Sequence, residues 1–294
     1  MAAHQGYAYA EKGSIISTIV NGILFVFKIF AGVVGHSNAM IADALDTLGD
    51  TMTSAGMLVG FKIAKRPADQ EHPYGHGKAE SIIAKLLAVF LIVLGVKVAY
   101  SSIHVMMSHK TYVPGKIALV AAVVSIIVKL GLFQYTNLLG KKISSTAMTI
   151  YSWNIASDVF SSFAALVGIA GARLGFPLLD PIAAFMLSIL VIRTGIEGFH
   201  RAYDELMDGA PAKPVIEGIK NIVIMNKDVK AINDIKVRKM GLDLMIDMTI
   251  AVDRKMTVDR GHEITDIVRN DILEKIPTAK EVFIHVEPFL DRAI

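Results

Sequence analysis

Six apolar runs, each close to the length a helix needs to cross a bilayer, occupy roughly the first 200 residues. A hydrocarbon core takes about 20 residues in helical form. The runs fall at roughly 13–34, 38–64, 79–103, 115–139, 146–172 and 178–200. Lipid offers no partner to a backbone N–H or C=O, so runs of this length predict helices that satisfy themselves internally. Composition agrees: 53% of the 294 residues are hydrophobic and the mean hydropathy is +0.50, more apolar than a soluble domain. Pro114 and Pro177 stand just before runs, where a missing N–H does little harm.

Loop charge sets the expected orientation. Lys62, Lys65, Arg66 and Lys78 follow the second run, and Lys141 and Lys142 follow the fourth. The opposite loops hold Lys110, Lys116 and Arg173. This bias places the even-numbered loops and both termini in the cytoplasm of a multi-pass cell-membrane protein. The polar N-terminus, MAAHQGYAYAEKG, lacks the order of a cleaved signal peptide. A net charge of +3 with no basic tract argues against nucleic acid as a partner. The absence of cysteine excludes disulfides, thiolate metal sites and cysteine catalysis.

Past roughly residue 208 the pattern changes. GAPAKP is a break, with Pro214 suited to a first helical turn. PVIEGIKNIVI is amphipathic, with Val215, Ile219, Ile222 and Val223 on one side. AINDIKVRK reads as a strand, and LDLMIDMTIAVD alternates Leu244, Ile246, Met248, Ile250 and Val252 against Asp243, Asp247 and Thr249. A second helix begins at the N-cap Thr257, and KEVFIHVEP is a last strand. The expectation is a six-helix transmembrane domain over 1–208, followed by a C-terminal α+β domain of order αββαβ over 209–294. Dimerisation would help so small a core.

The second run contains ADALDTLGDTMTSAG. Spacings of three and four put Asp43, Asp46 and Asp50 on one helical stripe, with Thr47 and Thr53 beside it. The fifth run carries WNIASDVFSS, where Asn154, Ser157, Asp158 and Ser161 share a face. An acid at mid-span costs about 2.5–3.5 kcal/mol on insertion scales. Two polar stripes that face each other lower that cost, and Asp46, Asp50, Asn154 and Asp158 would then form an all-oxygen cluster. Such a cluster suits a hard divalent cation. Protons can replace the ion when it leaves, the minimum chemistry of a proton-coupled antiporter. A simpler reading pairs the acids with Lys28 or Lys85, or sets them near the membrane edge. Asp43, nearest the start of its run, is expected to be merely solvated.

The loop RPADQEHPYGHGKAE brings Asp69, His72 and His76 close in sequence, a carboxylate and two imidazoles suited to a transition metal; Pro73, Gly75 and Gly77 argue against a helix that would aim them, and a plain polar loop is the alternative. In the tail, His285 and Glu287 share one strand face, and His262 lies on the second helix. They could form a surface metal site, one between two tails, or simply be solvated. Trp153 and the methionines read as packing. Lys78 and Asp208 are candidates for a salt bridge at the membrane–tail junction.

These pieces together resemble the cation diffusion facilitator family across nearly the whole chain. DALDTLGD, HPYGHGKAE, the NIASD segment, LLDP around Asp180 and the tail's His262-Glu263-Ile264-Thr265-Asp266 carry the resemblance. It implies a homodimeric, proton-driven exporter of divalent metal, not an enzyme, with no organic cofactor and the metal as its substrate. It also implies a transport site of Asp46, Asp50, Asn154 and Asp158 and a loop site that includes Asp69, His72 and His76. Two features depart from zinc-moving relatives. Many of these carry His where this chain has Asn154, and some carry His where Asn233 and Thr249 stand. Loss of imidazole hurts zinc more than manganese, and the pattern is similar to the family's manganese branch. Mn(II) is the expected cargo, with Fe(II) and Zn(II) as alternatives. Rival functions from other classes are an intramembrane aspartyl protease and a metal-gated sensor.

Overall fold

The computed structural model describes residues 2–64, 66–108, 112–142, 146–241 and 243–290, without the side chains of 2–14, 53–62, 64, 142 and 146–150. Thr53, Lys62, Lys65, Lys110 and Lys142 therefore lie outside the described side chains. Six long helices come first: α1 Ala2–Val34, α2 Asn38–Ala64, α3 Ala79–Ser108, α4 Lys116–Lys142, α5 Thr146–Arg173 and α6 Leu179–Leu206. Helix α1 begins eleven residues before the apolar run, since the polar N-terminal segment continues the same helix.

Five helices (α1, α3, α4, α5 and α6) are long and apolar enough, among the described residues, to cross a membrane. Helix α2 has 27 residues, about 40 Å at the α-helical rise. Its described side chains include Asp43, Asp46 and Asp50. Large apolar side chains such as Ile23, Phe30, Leu86 and Val93 point outward, as lipid requires.

The helices approach through small residues, which let backbones come close where lipid removes the hydrophobic drive. Ala31, Ala39, Ala42, Ala118, Ala121, Ala122, Ala165 and Ala184 are fully buried in one cluster. Gly95 lies against Val191 and Ile192, and Gly195 against Ala88 and Ile92, so a side chain at either would hold α3 off α6. The start of α2 is fixed from α6. Ser37 caps α2 by accepting from the Met40 N–H at 3.1 Å. Asp180 accepts from the Ser37 hydroxyl at 2.6 Å and from the Asn38 N–H at 2.8 Å.

The tail forms α7 Lys213–Ile224, β1 Val229–Met240, β2 Asp243–Val252, α8 Val258–Lys275 and β3 Ala279–Pro288, in the expected αββαβ order. The sheet order is β1-β2-β3, with β1 antiparallel and β3 parallel to β2. A parallel pair needs a crossover, and α8 supplies it. Thr257 caps α8 as expected, accepting from the Arg260 N–H at 3.3 Å. Ile219 and Val223 of α7, Ile246 and Ile250 of β2, and Ile264, Val268 and Ile272 of α8 fill the core.

The chain divides into two compact units: 1–58 with 84–199, and 59–83 with 200–294. The intramembrane aspartates belong to the first. The histidine loop belongs to the second, with the tail and the adjoining helix ends. Within the second unit Gly77 lies against Met240, and the Gly241 N–H donates to Glu205 at 2.7 Å.

Candidate metal centre

The aspartate nearest the start of α2 is not solvated. Asp43 is fully buried and forms an ion pair with Lys28, which is buried on α1, at 2.7 Å. Lys28 Nζ also donates to Thr47 at 2.9 Å and to Ser162 at 3.1 Å. Ser162 in turn donates to Asp43 Oδ1 at 2.9 Å. Pairing with Lys28 is thus correct for Asp43, and burial rather than exposure is the reason it needs a partner. The Lys85 ammonium sits 5.0 Å over the Phe199 ring.

Further along the stripe, Asp46 and Asp50 meet the polar face of α5. The Asp50 and Asp158 carboxyls are hydrogen-bond neighbours, and Asp46 lies within the field of Asp158. Lys129 of α4 adds a cation, its Nζ 3.5 Å from Asp158 Oδ2. Lys129 escaped the sequence reading. Its signal was a single lysine inside SIIVKLGLF, in a chain with several intramembrane acids. The phenol of Tyr151, two turns before Asp158 along α5, also lies in reach of the Asp50 and Asp158 charges. Asn154 shares a helical face with Asp158 but is exposed in the single chain. The three carboxylates come together, yet they do not close to within 4.8 Å of one another as the loop residues do.

The loop is more compact. Asp69, His72 and His76 offer one ligand atom each, all within 4.8 Å of one another. Asp69 Oδ1 accepts from the N–H groups of Glu71 at 3.0 Å and His72 at 2.7 Å. The His72 N–H, the largest influence, holds the Asp69 carboxyl below its ordinary range. The His72 and His76 rings are 4.5 Å apart. The Gly75 N–H donates to the His72 carbonyl at 2.9 Å, with φ at +85°, which favours glycine. His76 Nδ1 is buried with no hydrogen-bond partner among the described residues. Imidazole and carboxylate donors at this spacing fit a first-row divalent metal.

The tail residues are looser. His285 Nε2 is 4.0 Å from Glu287 Oε1, while Asn233 donates to Glu287 Oε2 at 2.7 Å. His262 does not join them in a metal-ligand cluster among the described residues. Thr249 pairs with His285 across β2 and β3. Lys78 and Asp208 do form the expected salt bridge, at 3.0 Å, with Arg238 at 3.9 Å.

Residues 14–207 match the cation efflux transmembrane domain, and 211–289 match the cation efflux protein cytoplasmic domain. The chain belongs to the cation diffusion facilitator family. Among relatives, the uncharacterized transporter YdbO of Bacillus subtilis is 33% identical over 278 residues, covering 95% of each chain. The manganese efflux system protein MneP of the same organism is 31% identical over 96% of this chain and 97% of its own. The magnetosome protein MamM of Magnetospirillum gryphiswaldense is 32% identical over 92% of this chain and 86% of its own. The crystal structure of the cytosolic domain of a cation diffusion facilitator aligns at 30% identity over 26% of this chain and 90% of its own, with a TM-score of 0.25. As a cation diffusion facilitator the chain is a multi-pass membrane protein that moves divalent metal.

Proposed function

We propose that the protein exports Mn(II) from the cytoplasm in exchange for protons. The proposed assembly is a homodimer whose protomers each span the bilayer six times over 1–208, with both termini and the 209–294 tail cytoplasmic. The transport site is assigned to Asp46, Asp50 and Asp158, with Asn154 completing it when an ion is bound. One observation carries the reading: Asp50 and Asp158, from two different helices, are hydrogen-bond neighbours inside an apolar helix bundle. Carboxylates so placed bind a cation or hold protons, because bare charges there are too costly.

The donor set supports manganese. Asn154 offers an amide oxygen, and an all-oxygen site loses less for Mn(II) than for Zn(II). The relatives named for manganese efflux are consistent with it. Asp69, His72 and His76 would capture metal on the cytoplasmic side. His262, His285 and Glu287 are left as a weak tail site at most.

The test is metal uptake into inverted vesicles of reconstituted protein, comparing Mn(II), Fe(II) and Zn(II) with and without a pH gradient. Mn(II) uptake is expected to depend on the gradient and to vanish in Asp50→Ala. Asn154→His is expected to shift preference toward Zn(II). Transport that survives Asp50→Ala refutes the site, and an unchanged metal order in Asn154→His refutes the selectivity argument.

A further inference from the structure

Two lysines are buried among the aspartates, and they are held in opposite ways. Lys28 Nζ stands 2.7 Å from Asp43 Oδ2 and donates to Thr47 at 2.9 Å and to Ser162 at 3.1 Å. Lys129 is 1% exposed, yet its Nζ makes no hydrogen bond among the described residues. Its nearest carboxylate oxygen is Asp158 Oδ2, at 3.5 Å. An ammonium buried without hydrogen bonds is costly. The acids that act on it are Asp158, Asp43, Asp46 and Asp50. On the acid side, Asp46 Oδ2 is also buried with no hydrogen-bond partner among the described residues.

A loosely held cation therefore stands among acids of which Asp46 keeps a buried oxygen without a hydrogen bond among the described residues. Lys28 shows what a permanent buried pair looks like in this bundle, and Lys129 does not match it. When ionised, three carboxylates and one ammonium leave two net negative charges, which one divalent ion cancels. Helix α4, which carries Lys129, packs along α5, which carries Asp158. Lys129 thus comes from a helix that carries none of the three carboxylates.

We infer that Lys129 is a tethered counter-ion of the transport site. It balances part of the carboxylate charge while no metal is bound, and it opposes the entering divalent ion so that binding stays weak enough for release. The inference rests on the transport site proposed above. Lys129 is a positioning and affinity-setting residue, not a ligand.

The test is calorimetric titration of Mn(II) into the full chain in detergent, in a His72→Ala background that weakens the loop site. Vesicle transport is measured alongside. Lys129→Gln is expected to bind Mn(II) at least about tenfold tighter, about 1.4 kcal/mol, and to turn over more slowly at saturating metal. Lys129→Arg keeps the charge and is expected to bind within about threefold of the parent. Unchanged or weaker binding in Lys129→Gln overturns the inference, as does an Arg variant that tightens like Gln. A purely packing role would lower the stability of both variants without tightening binding, which also overturns it. Should Lys129→Gln not fold, Lys129→Met, which keeps the stem, carries the same test. Asp50→Ala run in parallel separates the two readings. If Asp50→Ala loses Mn(II) while Lys129→Gln binds as the parent does, only the lysine inference fails. If Asp50→Ala still binds Mn(II), the transport site itself fails.

Discussion

Lys28→Met removes one half of a fully buried ion pair and keeps most of the stem's volume. Asp43 then retains the Ser162 hydroxyl as a partner, but no cation at 2.7 Å. Removing one member of a buried pair costs about 3–5 kcal/mol, because the other charge is left uncompensated. The lost hydrogen bonds to Thr47 and Ser162 fall within the same perturbation, so a loss of about 4 kcal/mol is expected. Asp43→Leu strands the ammonium instead and should cost a similar amount. The double variant Lys28→Met/Asp43→Leu leaves neither charge and should return to within about 1.5 kcal/mol of the parent, since well-packed apolar replacements are often neutral. The assay is equilibrium unfolding in mixed micelles, followed by helicity, on all four proteins. A Lys28→Met loss under about 1 kcal/mol would refute the argument, as would single effects that simply add in the double variant.

Gly75→Ala forces a side chain into φ of +85°, with a cost of about 1–2 kcal/mol, and should loosen the His72–His76 approach. Weaker Mn(II) binding measured in an Asp50→Ala background, where the loop site alone reports, would show it. Asp69 titrates below its ordinary range because the His72 N–H favours the carboxylate. Its contribution to loop order is therefore complete above about pH 4 and fades only as pH falls further. Proton NMR of the His72 and His76 rings should show an intact loop at pH 5, and loop opening already at that pH would contradict the assignment.

Run length and periodicity were enough for the helices and for the tail. A bilayer leaves the backbone no alternative to helix over twenty apolar residues, and the alternation in LDLMIDMTIAVD suits only a strand. The proximity of Asp69, His72 and His76 was also legible, because they are sequence neighbours and one turn brings them together. The acids were conspicuous for the same reason that they are costly. What spacing could not supply was the partner of each acid. Asp43 and Asp50 occupy the same stripe of α2, yet one is locked to Lys28 on α1 and the other meets Asp158 on α5. Lys28 and Ser162 are 134 residues apart, and only the packing of α1, α2 and α5 brings them within hydrogen-bond reach. Helical periodicity says which side chains share a face. Which face meets which is decided when backbones close through alanine and glycine, and that depends on all the helices at once.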